Sequence, residues 1–311
     1  MSVFHPELRA FAALFPRFTW TPRTAKLMNW FHAVRLPPPR AEGLSIRDAI
    51  IAAHDGADIP IRIYQPTNRA AAMPCMLWIH GGGYLFGTLR WDEKANIALA
   101  AELGITIVAV NYRLPPHSRF PVPLEDCYSA LKWAHDNAAS LHVSRCHIAV
   151  GGSSAGGGLA AALAQLAMDR GEVPIAFQYL RYPMLDDRSA VRSDIDHRRL
   201  HLWSQRSNFH GWSAYLGQRP GQLDVQPYAV SSRRESLKGL PPAWIGVGAL
   251  DLFHDESVAY AQRLVAAAVP CDLYVVPGAF HGFDVVRPGA SIAKGFRASG
   301  VAALSRALCS S

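Results

Sequence analysis

No stretch of this 311-residue chain has the 18 or more uncharged apolar residues that a membrane-spanning helix needs. The amino-terminal run MSVFHPELRAFAALFPRF is broken by charges and a proline where an export signal requires an uninterrupted apolar stretch. A soluble, unexported, cytoplasmic protein without stable membrane association is therefore expected. Cysteine is scarce: Cys75, Cys127, Cys146, Cys271 and Cys309 are odd in number and widely spaced, with no C-x-x-C pair. That pattern excludes a disulfide framework and a cysteine-rich zinc site, and neither metal nor cofactor is expected. Basic blocks are missing too, because 31 Lys and Arg are offset by 24 Asp and Glu and gather only in short pieces such as DHRRLH and SSRRE. The net charge of +7 reads as a solvated surface, and nucleic acid is not an expected partner. Internal repeats and low-complexity segments are absent. What remains is 50% hydrophobic and 18% charged, enough apolar material for a large core.

The pattern divides the chain. Residues 1–45 are helical in character and punctuated by proline, ending in RLPPPRAEG, which cannot continue a helix. DAIIAAHDGADIPIRIYQP carries two period-2 runs that turn at Asp55-Gly56, the signature of a hairpin. Six apolar strand candidates follow, at 75–80, 105–112, 147–152, 176–183, 243–250 and 271–278, each trailed by helical patterning. Continuous apolar strands alternating with helices predict a mostly parallel, doubly wound α/β sheet. Residues 186–238 break the alternation: they are polar, rich in Trp, Tyr and His, and longer than one crossover requires. This insertion and the amino-terminal helices are expected to form a helical cap over the carboxyl ends of the strands, with 46–185 and 239–311 as the core.

Chemistry enters at AVGGSSAGGGL, residues 149–159. A strand delivers the chain into GSSAG and a helix follows, the setting in which G-x-S-x-G forms a nucleophile elbow. Centring the motif on Ser154 places Gly152 and Gly156 at its flanks, whereas centring it on Ser153 would need glycine where Ala155 stands. Ser154 is the candidate nucleophile and Ser153 the spacer. Neither G-x-G-x-x-G nor a phosphate-binding G-x-x-x-x-G-K-[ST] fits the run. A serine hydroxyl also needs a base, an acid to orient the base, and donors for an oxyanion. WIHGGGYLFG, residues 78–87, offers the bare N–H groups of Gly82 and Gly83, joined by that of Ala155. Asp251 ends the strand GVGAL and His281 ends the next, in the order serine, acid, histidine. Asp255 and Glu256 fall in the first turn of a helix, where carboxylates ordinarily face the helix dipole. His254 reads as a loop residue and His80 as a brace for the glycine loop. Asp251 with His254 makes no metal site, because no histidine or cysteine partner lies at ligand spacing.

Taken together, HGGGYLFG, NYRLPPHSRFPVPLED, GSSAGG, GALDLFHDE and GAFHGF resemble five ordered motifs of the hormone-sensitive-lipase branch of the α/β-hydrolases, bacterial esterases among them. The resemblance covers nearly the whole chain. It implies an eight-stranded twisted sheet flanked by helices, a Ser154–Asp251–His281 triad, an oxyanion hole of Gly82, Gly83 and Ala155, and hydrolysis of short to medium acyl esters, a small-molecule substrate. Homodimers through the last strand and helix are a further implication of the resemblance. Two positions depart from it: Ser153 stands where the elbow usually carries aspartate, and His117 where glutamate is usual. Other acyl hydrolases (amidase, lactonase) and acyltransferases would use the same residues. A catalytically silent receptor of this fold would lack the histidine, which is present here. The aromatics Trp203, Phe209, Trp212 and Tyr215 of the insertion, with Tyr84, Phe86 and Trp91 near the glycine loop, are expected to pack the cap more than to line a pocket.

Overall fold

A computed structural model describes residues 3–15, 17–32, 37–68 and 72–309. Part of the proline-rich stretch, residues 33–36, lies outside them. The chain opens with the short helix α1 (Arg9–Leu14) and α2 (Pro22–His32). The hairpin forms as its alternation predicts: β1 (Leu44–Ala52) runs antiparallel to β2 (Asp58–Pro66), with Ala52 opposite Asp58 and Gly56 in the turn at φ +81°. Strand β3 (Met73–Ile79) is followed by α3 (Glu93–Leu103), β4 (Thr106–Val110), α4 (Val122–Asp136), β5 (Val143–Ser153) and α5 (Ala155–Arg170). After β6 (Phe177–Arg181) come α6 (Gln205–Leu216), β7 (Ala243–Gly248), α7 (His254–Ala266), β8 (Cys271–Val276), α8 (Phe283–Val286) and α9 (Ser291–Cys309).

The eight strands form one sheet in the order β1-β2-β4-β3-β5-β6-β7-β8, antiparallel through β1, β2 and β4 and parallel from there on. All six apolar runs are strands, but four end two residues early. The 105–112 run, for example, pairs only over Thr106–Val110, because at its carboxyl end the chain leaves the sheet to build a loop. β3, β4, β6 and β7 are buried along almost their whole length because helices cover both faces. Leu99, Phe296 and Leu304 of α3 and α9 pack on one face; Leu131, Leu163 and Leu264 of α4, α5 and α7 pack on the other.

This topology decides where loops meet. From β3 the chain crosses to β4 on one side and returns to β5 on the other, so the loops after β3 and β5 part at a switch point, the position where open α/β sheets bind ligands. The segment between β6 and β7 packs onto that end. A Cβ at Gly211 of α6 would lie 2.3 Å from the Gly83 carbonyl oxygen, so the helix rests directly on the glycine loop. The amino-terminal segment joins it, with Trp20 N–H donating to Ser207 Oγ at 2.8 Å and Arg17 Nη2 to the Arg198 carbonyl at 2.6 Å.

Candidate active site

Ser154 sits at the junction of β5 and α5 with φ 57° and ψ −120°, a conformation that a residue with a Cβ adopts only when its surroundings force it. The forcing contacts are visible. A Cβ on Gly152 would lie 2.4 Å from the Gly156 carbonyl, and one on Gly156 would lie 2.0 Å from the Ile79 carbonyl. The two motif glycines let the turn close against β3, and the turn holds Ser154. Its backbone is tied on both sides: Ser154 N–H donates to the Arg181 carbonyl at 2.9 Å, and its carbonyl accepts from Gly158 and Met184.

The glycine loop lies against this corner. A Cβ at Gly81 would come within 2.8 Å of the Ser153 carbonyl. Gly82 and Gly83 have φ of 115° and 60°, and the Gly82 carbonyl accepts from Leu85 and Phe86, which folds the loop into a tight turn. Among the described residues, the N–H groups of Gly82, Gly83 and Ala155 donate to no acceptor, so all three are free for an oxygen anion. Ala155 also opens the 16-residue helix α5, whose amino end carries positive partial charge. His80 braces the loop: its Nδ1 is 2.8 Å from the Gly81 carbonyl, its ring stacks on Tyr112 at 4.3 Å, and burial pushes its pKa down to about 4.

Asp251 and His281 leave the ends of β7 and β8 and meet, with His281 Nδ1 2.8 Å from Asp251 Oδ2. The other carboxylate oxygen accepts from Phe253 N–H at 2.9 Å, which fixes the acid so that the histidine donates its Nδ1 proton and presents Nε2 outward. Both are largely buried, at 6% and 9% exposure. The rings of Tyr182 and Phe253 meet the imidazole edge-on at 4.8 and 5.1 Å. The end of β6 touches both halves of the site, through the Arg181 carbonyl on Ser154 and the Tyr182 ring on His281. Among the described residues Ser154 Oγ has no hydrogen-bond partner.

A family profile for the α/β-hydrolase fold matches residues 76–285, which hold the glycine loop, the elbow and both partner residues. The chain belongs to that family. The carboxylesterase NlhH of Mycobacterium tuberculosis is 34% identical over 285 residues, spanning 88% of this chain and 86% of that protein. The ethyl acetate hydrolase of Pseudomonas putida is 32% identical over 243 residues, spanning 76% and 75%. Among solved structures, a bacterial heroin esterase matches with a TM-score of 0.88 at 36% identity over 99% of both chains, and the esterase LipW of Mycobacterium marinum with 0.83 at 32% over 98% and 96%.

In this α/β-hydrolase the spacer Ser153 also has a partner that the motifs did not reveal. Ser153 Oγ donates to Asp92 Oδ2 at 3.2 Å, and Trp78 Nε1 donates to the same oxygen at 3.0 Å. The carboxylate missing from the elbow itself is supplied through space by the residue before α3. Burial pushes the Asp92 carboxyl up, and the positive charge of Arg181 opposes that rise. Arg181, at 6% exposure, in turn pairs with the equally buried Asp284. Asp92 showed no signal in the sequence because it sits in LRWDEKAN, an ordinary helix start, and the contact spans 61 residues.

The competing residues occupy other places. His254, expected in a loop, is instead the first residue of α7, where its ring pairs with Asp255 at 2.9 Å in a partly exposed contact. Glu256, expected to serve the helix dipole, instead accepts from the Leu185 and Asp186 N–H groups at 2.7 and 3.2 Å, which anchors the exit of β6. Trp212 and Tyr215 pack the insertion against Tyr84, whose ring stacks on Tyr215 at 4.1 Å. Trp203 differs from them. A Cβ at Gly83 would run into its ring, and the ring centroid lies 6.5 Å from that of His281, so Trp203 stands over the site. Among the described residues there is no group of three or more His, Cys, Asp or Glu that could hold a metal, and no helix is long and apolar enough to cross a membrane.

Proposed function

We propose that the chain, a carboxylic ester hydrolase, cleaves short- to medium-chain acyl esters through an acyl-enzyme on Ser154. The observation that carries the reading is the Asp251–His281 hydrogen bond, placed at the same end of the sheet as the strained serine and the three unspent N–H groups. His281 Nε2 takes the Ser154 proton as Oγ attacks the ester carbonyl, while Asp251 holds the imidazolium that forms. The oxyanion is held by Gly82, Gly83 and Ala155. Collapse of the tetrahedral intermediate expels the alcohol, which takes the proton from His281. A water activated by the same histidine then releases the acid and restores Ser154.

The amino-terminal helices and residues 186–238 serve as the cap in this reading, and Trp203, Tyr182 and Phe253 crowd the catalytic histidine. Such crowding favours small acyl groups over long ones. With 4-nitrophenyl esters from acetate to palmitate, kcat/KM is expected to peak at or below the octanoate and to fall by about 10²-fold or more toward palmitate. That fall corresponds to about 3 kcal/mol of lost transition-state binding. A profile still rising at palmitate would replace the esterase reading with that of a lipase.

A further inference from the structure

A cavity of about 1240 Å³ lies between α2, one face of α6, the continuation of the glycine loop at Leu85–Arg90, the loop after β4 at Leu114–His117, and the β1–β2 hairpin at Asp48–Ile50, Pro60 and Arg62. Neither the proposed triad nor the three oxyanion donors line it. Its volume is that of a pocket for an organic molecule rather than for a small ion. Leu85, Leu89, Leu114 and Ala214 give it apolar walls.

Charge on those walls is one-sided. Arg23, Lys26 and Arg90 line the cavity, and among the described residues none of the three side chains is in an ion pair. The acid that reaches the lining, Asp48, is committed to Arg62 through two hydrogen bonds of 2.6 and 2.9 Å. Asn29, His210 and Ser213 add polar side chains to the lining. The sequence supports the same sign: residues 1–41 carry six basic side chains against one acidic, Glu7.

We infer that this cavity is a second binding site, separate from the Ser154 cleft, for an organic carboxylate: an apolar body against the leucines and a carboxylate toward Arg23, Lys26 and Arg90. Medium-chain fatty acids, the class of product an ester hydrolase releases, have this chemistry. The site is mechanically joined to the glycine loop, because Asn29 Nδ2 donates to the Leu85 carbonyl at 2.9 Å and Leu85 N–H donates to the Gly82 carbonyl at 3.0 Å. Occupancy therefore bears on the loop that carries two of the proposed oxyanion donors.

The test is calorimetric titration at low salt with octanoate and with uncharged octanamide, on the full chain and on the Arg23→Ala/Lys26→Ala/Arg90→Ala variant. Octanoate is expected to bind at least about tenfold more tightly than octanamide, a contrast that shrinks on adding salt and disappears in the triple variant. Ala214→Trp, which places an indole ring in the cavity beside the leucines, should weaken binding of both. Equal affinities for the two probes, or a contrast that survives the triple substitution, would overturn the proposal. So would loss of octanoate binding after phosphonate labelling of the catalytic serine, since the probe would then occupy the cleft. Failure to take up phosphonate would sink the catalytic reading while leaving the octanoate contrast to decide this site.

Discussion

Replacement of Ser154 by alanine is expected to lower kcat on 4-nitrophenyl acetate by about 10⁴-fold or more, with the protein still folded. The size follows from the division of labour in the site. Without Oγ no acyl-enzyme forms, and what remains is the contribution of the glycine-loop and Ala155 N–H groups to direct attack by water. His281→Ala should fall to a similar level, because the two residues act as a unit and their losses do not add. The neighbouring serine is the control. Ser153→Ala removes one hydrogen bond to the buried Asp92 carboxylate, which costs about 1–3 kcal/mol of stability, and leaves kcat within about tenfold. Steady-state kinetics on the three variants, each with a denaturant melt, separates the roles. If Ser153→Ala were the inactive variant and Ser154→Ala the merely weakened one, the elbow would be centred on the wrong serine.

The second large effect concerns stability. Arg181→Met should lower the free energy of unfolding by about 3–5 kcal/mol, because it removes the cation that sits between two buried carboxylates, Asp92 and Asp284. The loss should depend on pH in a specific direction. Burial raises the Asp92 carboxyl, and without Arg181 only the hydrogen bonds from Trp78 and Ser153 oppose that rise, so the folded variant binds a proton more readily than the unfolded chain. A group of that kind stabilises at low pH, and its contribution disappears as pH rises through the folded-state value. The gap between variant and parent should thus be smaller at pH 5 than at pH 8, and Arg181→Met/Asp284→Asn should recover part of it. A gap independent of pH would mean that Arg181 contributes by packing alone, beneath Trp78 and beside Tyr182.

Local pattern carried much of this far. The hairpin at Asp55-Gly56, the six apolar strands and the choice between Ser153 and Ser154 follow from spacing, because each depends on residues within a few positions of one another. Asp251 and His281 were legible because each lies in the loop just past the end of a strand, and parallel strands bring their carboxyl ends together whatever separates them in sequence. Asp92, Arg181 and Asp284 were not legible. Their partnership depends on which side chains share the interior beside β3, β5 and β6, and a charged residue inside an apolar strand such as FQYLR has no periodic signature of its role. Glu256 illustrates the same limit: its position in the first turn of α7 suggests a dipole partner, yet the chain leaving β6 passes close enough to take its carboxylate.

The question of which serine reacts is settled most directly by labelling the protein with a fluorophosphonate and mapping the adduct by peptide mass spectrometry. A single adduct on Ser154, lost in Ser154→Ala and retained in Ser153→Ala, is the result expected from the elbow geometry. An adduct on Ser153, or an active enzyme that takes up no phosphonate, would contradict it.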